Sequence, residues 1–198
     1  MPPEVSAVLL AAGSSRRMGS PKQLLPVNGR AAVRYCLESI LSAGITDTVV
    51  VTGDQSAGIA AALHGLPVRF VRNPSSGSEM ADSVKLGLRE TGPASRTILV
   101  FLADHPLVRS ETIRLVIAAS MNDPGRIIIP RYQGRGGHPT AFPRPFIEEV
   151  FSGKSLRDII NVHTSELIAV DVGDEGVVLD MDTEADYERV RGMAGDVP

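Results

Sequence analysis

Apolar residues follow two alternating rhythms along this chain. Short continuous runs, Val5 to Leu10, Thr48 to Thr52, Val68 to Val71 and Ile98 to Leu102, read as buried strands. Between them apolar positions recur at helical spacing. Val33, Cys36, Leu37, Ile40 and Leu41 form one such face, stopped by Gly44. Ser56 to Leu63, Met80 to Leu88 and Ser110 to Ser120 form three more, the last with Ser110 as its cap. The second half is less regular. It predicts a strand over Arg126 to Pro130, a glycine-rich loop over Tyr132 to Thr140, and short helices over Phe146 to Phe151 and Leu156 to Asn161. Strands over Leu167 to Val172 and Val177 to Leu179 follow, then a closing helix capped by Thr183 and running through Val190. Strand and helix in alternation predict an α/β fold with one doubly wound, mostly parallel sheet. No internal repeat or linker interrupts the pattern, so residues 1–198 read as a single domain whose tail frays after Gly192.

Composition narrows the function classes. A length of 198 residues suits one domain with a full core, and 43% hydrophobic with 22% charged residues is ordinary for a globular chain. A formal charge of −3 argues against a nucleic-acid-binding surface, which wants a basic excess. The lone Cys36 has no partner for an internal disulfide and sits on an apolar helix face, where it reads as a small core residue. No apolar run approaches the ~18 residues of a membrane span, and the N-terminus lacks a basic-then-apolar signal, so a cytoplasmic protein is expected.

The first strand opens into Ala11-Ala12-Gly13-Ser14-Ser15-Arg16-Arg17-Met18-Gly19-Ser20-Pro21-Lys22. Small residues let backbone N–H groups approach oxygens, and the cations balance charge, a combination suited to a polyphosphate. Neither G-x-x-x-x-G-K-[ST] nor G-x-G-x-x-G is present, so neither a P-loop ATPase nor a dinucleotide dehydrogenase is supported. The strand Ile98 to Leu102 ends in Ala103-Asp104-His105-Pro106, and ligands of open α/β sheets sit outside such strand ends. Asp104 there either holds Mg²⁺ against phosphates or simply opens a turn before Pro106. His138, in Gly136-Gly137-His138-Pro139, is either structural or faces a substrate cleft, and no second His lies at metal-ligand spacing. No nucleophile–base pair for covalent catalysis is evident, and direct in-line transfer needs none.

Leu10-Ala11-Ala12-Gly13, Arg17-Met18-Gly19, Lys22 and Leu24-Leu25-Pro26 resemble, in register, the signature L-A-A-G-x-S-x-R-M-G-x-x-K-x-L-L-P of the MobA-like nucleotidyltransferases. Within them the chain looks most like the molybdenum cofactor cytidylyltransferases. The likeness extends to the L-x-D-x-P turn at Asp104, to the G-H-P turn at His138 and to a D-I-D-T-P-E-D-Y-like segment at Asp180 to Tyr187. In that segment Glu184 and Ala185 depart from the pattern, and Asp182 matches the second metal-binding Asp; the alternative, an acidic helix start, suits Glu184 and Asp186 better than Asp182. Asn73-Pro74, Met80 and Ser83 resemble a nucleotide-facing N-P-x-x-x-x-G-M-x-x-S segment, with Glu79 where that pattern has Gly. Ser155-Leu156-Arg157-Asp158 resembles a G-L-R-D segment, and Arg157 can contact an acceptor phosphate or pair near Asp158.

The resemblance implies a Rossmann-like nucleotidyltransferase fold and transfer of CMP from CTP to the molybdopterin form of the molybdenum cofactor, releasing pyrophosphate. It implies catalytic roles for Arg17, Lys22 and Asp104, with Leu10, Ala11, Ala12, Gly13, Arg17, Lys22, Asn73 and Ser83 holding the nucleotide. His138 would face the acceptor, and Asp104 and Asp182 would hold Mg²⁺ or Mn²⁺. Ala12 fits a cytidylyl enzyme, since guanylyl relatives carry Gly there. GTP or a sugar-phosphate acceptor is the nearest alternative. A non-catalytic nucleotide-binding accessory for molybdenum hydroxylase maturation is the alternative from another class. Transient contact with a molybdenum hydroxylase or its chaperone is the implied protein partnership, with no nucleic acid and no membrane.

Overall fold

The computed structural model describes residues 4–13, 21–75 and 79–194. Its frame is an eight-stranded sheet. The strands are β1 (Val5–Ala11), β4 (Asp47–Thr52), β5 (Arg69–Arg72), β6 (Thr97–Leu102), β7 (Ile127–Tyr132), β8 (Arg135–Gly136), β9 (Thr140–Pro143) and β10 (Leu167–Asp171). They lie in the order β10-β7-β9-β6-β1-β4-β5, with β8 paired to β7. The core pairings β5–β4–β1–β6 and β7–β10 are parallel, and β9 is wedged antiparallel between β6 and β7. A two-stranded hairpin, β2 (Pro26–Val27) with β3 (Arg30–Ala31), stands apart.

Alternation along β1 explains why the sheet is covered on both sides. Ala7, Leu9 and Ala11 point into a cluster with α1 (Ala32–Ser42), α2 (Ser56–Ala62) and α4 (Ser110–Asn122). Val8 and Leu10 point the other way, toward α3 (Met80–Glu90), α5 (Arg144–Ile147) and α6 (Leu156–Val162). Strands sandwiched in this way read as continuous apolar runs. The closing helix α7 (Glu184–Ala194) makes a third cluster with the hairpin, and Tyr187 Oη donates to Pro26 O at 2.8 Å. Cys36 is fully buried in α1, as its apolar face predicts.

Two expectations are corrected. Ser110 is the first residue of α4 and not its cap; Arg109 occupies the cap position, and the Ser110 hydroxyl turns to Glu111. Val177 to Leu179 is not a strand. A 3₁₀ turn over Glu175–Val178 takes its place, because the Asp174 carboxylate captures Gly176 N–H and the apolar side chains fill two different clusters. The glycine-rich loop also contains β8, and β9 begins where that loop was expected to end. Thr183 does cap α7: its hydroxyl accepts from Asp186 N–H while Asp186 accepts from Thr183 N–H.

Candidate active site

Parallel strands deliver their carboxyl ends to one side of the sheet. β1 hands over to Ala12 and Gly13 there, and β6, paired beside it, hands over to Ala103 and Asp104. The Gly13 carbonyl accepts from the side chain of buried Gln23 at 2.8 Å, so the chain leaving β1 is tied to the 3₁₀ turn Lys22–Leu24. That turn presents Lys22. Its ammonium donates to Asp104 Oδ2 and, at 2.8 Å, to Asp182 Oδ1. Burial works to lower the Lys22 pKa, but attraction to Asp104 and bonding to both carboxylates outweigh it and raise it.

The other oxygen of Asp104 is buried and, among the described residues, accepts no hydrogen bond. His105 Nε2 lies 3.8 Å from it, and His105 Nδ1 lies 3.3 Å from Gly176 O. The His105 and His138 rings are 5.1 Å apart between centroids. His138 Nδ1 is also buried, with no partner among the described residues. Burial, reinforced by repulsion from His105 and opposed by Asp104, lowers its pKa to about 4, so this imidazole is neutral at pH 7. Asp180 is pushed upward, first by burial and then by the negative charge of Asp182.

A strap over residues 173–182 holds this arrangement. Asp174 anchors it, accepting from Arg109 N–H at 2.9 Å, Thr112 Oγ1 at 2.6 Å and Gly176 N–H at 3.0 Å. Val177 O then accepts from His138 N–H at 2.8 Å. The approach requires glycine on both sides: a Cβ on Gly137 would meet Val177 O at 2.1 Å, and one on Gly176 would meet Leu107 O at 2.4 Å. Sequence reasoning missed the strap and Gln23. Asp174-Glu175-Gly176, an Asp two residues before a Gly, was the available signal for its turn.

Beside His138 opens a cleft of about 710 Å³. Met80, Val100, Phe142, Leu156 and Ile160 give it apolar walls, with Thr140, Glu79 and Arg157 as polar groups. Asp158 closes a capping box with Ser155 and meets Arg157 only as a nearby charge, while Arg157 lines the cleft. Asn73 and Ser83 bond to one another at 2.9 Å, tying the strand β5 exit to α3, whose first turn forms one cleft wall. Leu10 and Ala11 have buried side chains on opposite faces of the sheet. Arg17 lies outside the described residues.

Two carboxylates meeting on one cation, one with a bare buried oxygen, have the oxygen chemistry that suits Mg²⁺ or Mn²⁺. Among the described residues no third His, Cys, Asp or Glu joins them, so phosphate and water would complete the shell.

The model of the MobA-like NTP transferase domain matches residues 7–166. Nicotine blue oxidoreductase of Paenarthrobacter nicotinovorans is 32% identical over 194 residues, covering 91% of this chain and 93% of that protein. A nucleotidyl transferase from Methanothermobacter thermautotroptrophicus superposes with a TM-score of 0.84 at 25% identity, over 98% of each chain. The Rv0371c protein of Mycobacterium tuberculosis, in complex with manganese, superposes with a TM-score of 0.78 at 25% identity, over 97% of this chain and 100% of that one.

Proposed function

The chain belongs to the MobA-like NTP transferase family, and from that premise we propose that it transfers CMP from CTP to a molybdopterin-type acceptor, releasing pyrophosphate. The observation that carries this reading is the convergence of Lys22, Asp104 and Asp182 beside the Ala12–Gly13 turn. Cationic and metal-binding groups at one strand end are what phosphoryl chemistry needs, because positioning and charge neutralisation supply most of the catalysis. Ala12 and Gly13, with Asn73 and Ser83 behind them, would seat the nucleotide. Lys22, joined by Arg17, would neutralise the triphosphate and the leaving pyrophosphate. Asp104 and Asp182 would hold Mg²⁺ or Mn²⁺, which when bound withdraws charge from the phosphate oxygens. The acceptor's terminal phosphate would then attack the α-phosphorus in line.

The apolar cleft walls suit a flat acceptor body, with Glu79, His138, Thr140, Ser155 and Arg157 as polar partners at its edges. His138, neutral at its edge, can accept or donate one hydrogen bond, and Arg157 can meet an anionic end. The whole chain would act as one unit in the cytoplasm, meeting a molybdenum hydroxylase or its chaperone transiently. Pyrophosphate release, measured with each NTP, Mg²⁺ and molybdopterin acceptor, tests the reading. CTP should be preferred; GTP preference or no release with any NTP overturns it.

The similarity to a protein named an oxidoreductase favours a second reading, reduction of a flat aromatic compound bound in the same cleft. Oxidation of a reduced nicotinamide nucleotide in the presence of such a compound, followed by absorbance, separates the two.

A further inference from the structure

The position assigned to the metal ion is also the position of an ammonium. Lys22 Nζ bonds to Asp104 Oδ2 and, at 2.8 Å, to Asp182 Oδ1. A divalent ion held by the same oxygens would stand about 2 Å from each. An ion seated between those two oxygens would take the space that the ammonium fills, and two cations so close repel each other. Lys22 is nevertheless built to leave. Its charge sits on a flexible four-carbon stem with three rotatable donors, unlike the fixed fork of arginine. Asp182, its second partner, is about half exposed, so one side of the clasp opens to solvent.

We propose that Lys22 is an exchangeable stand-in for the divalent cation. Without nucleotide it holds Asp104 and Asp182 together and opposes metal binding; when metal arrives with a triphosphate, it moves to the phosphate oxygens. This rests on the reading of Asp104 and Asp182 as metal ligands. Charge is conserved through the exchange, since the carboxylate pair always has a cation and Lys22 always has an anion. Nucleotide and metal must therefore bind cooperatively, because the phosphates give Lys22 somewhere to go. The unpartnered second oxygen of Asp104 fits the same account: one ammonium leaves it unsatisfied, and a metal with its bound waters can satisfy it.

Binding of Mn²⁺ to the nucleotide-free full chain, followed by the electron paramagnetic resonance of free Mn²⁺, tests the exchange. Lys22→Met should bind Mn²⁺ on the order of tenfold more tightly than wild type, the effect of removing one close competing charge. Lys22→Arg should remain weak, and adding Asp182→Asn to Lys22→Met should abolish the gain. Unchanged or weaker binding by folded Lys22→Met overturns the proposal, for Lys22 would then be arranging the carboxylates and not competing for them. A second measurement needs no variant. Saturating Mn²⁺ should raise the rate at which Lys22 of the wild-type chain is acylated, read by peptide mass spectrometry; an unchanged rate also overturns the exchange. Neither readout needs turnover, so a chain inactive toward CTP would defeat the cytidylyl-transfer reading and leave this result to stand by itself.

Discussion

At the scale of single residues, the most demanding group is Asp104. One of its oxygens is bonded to Lys22 and the other is buried with no donor. A buried acceptor left unmade costs about 1–3 kcal/mol, which a purely structural turn residue has no reason to bear. If Asp104 and Asp182 serve one ion, Asp104→Asn and Asp182→Asn should each lower kcat by about a hundredfold or more, and the double variant should lose little beyond either. Strictly multiplicative losses would assign the two carboxylates to separate tasks. Ala12 carries a finer prediction. Ala12→Gly should shift kcat/KM partly from CTP toward GTP, by the ~1–3 kcal/mol that a contact of methyl size contributes. Selectivity unchanged in the variant would place the choice of base elsewhere in the cleft. Lys22, Asp104 and Asp182 were legible in the sequence as motif positions. Their meeting was not, because 160 residues separate Lys22 from Asp182 and only the strap brings the latter home.

At the scale of elements, that strap is the part with most influence per residue. Asp174 is buried, stitches the strap to the start of α4 through two hydrogen bonds and folds the strap back with a third from Gly176 N–H, and so sets where Gly176, Val177 and then Asp182 fall. Asp174→Ala should cost about 2–4 kcal/mol, seen as a Tm lower by roughly 6–12 °C. It should also lower turnover of the molecules that remain folded, because both histidine turns lean on the same backbone. Asp174→Asn, which keeps a carbonyl acceptor, should fall between. Equal activity per folded molecule in Asp174→Ala would make the strap a stability device alone. Elements of this kind are poorly legible. The parallel strands β1, β4 and β6 declare themselves as apolar runs because helices cover both faces. By contrast β9 is four residues long, ends at Pro143, and takes its antiparallel place from its neighbours β6 and β7. The triplet Val177-Val178-Leu179 has strand composition, yet no strand partner, since local capture of Gly176 by Asp174 bends the chain first.

At the scale of the whole molecule, the two ends of the sheet are built differently. At the amino ends of β1, β4 and β6, Asp47 is bonded by Ser6, Gly92 and Arg69, while Arg144 reaches Ser95 O and Gly92 O. Among the described residues, Thr48 Oγ1 near the start of β4 is the one buried side-chain polar atom there without a partner. At the carboxyl ends, Asp104 Oδ1, His138 Nδ1 and Gln23 Oε1 are buried without partners among the described residues. The molecule therefore keeps most of its unmet polar capacity at the carboxyl ends, where a ligand can use it. Acid should expose this asymmetry. His138 has a folded pKa of about 4 against 6.5 ordinarily, so between those values the unfolded chain binds a proton that the folded chain refuses. Stability is then complete above pH 6.5 and falls as the pH drops toward 4, by about 3 kcal/mol from this residue. Urea unfolding at pH 7 and pH 4.5 measures the loss, and His138→Gln removes the imidazole contribution while other acid-sensitive groups remain. The variant should lose clearly less stability than wild type over that interval. Equal losses would mean that His138 accepts its proton in the folded state, and that its place beside the cleft is wetter than its burial implies.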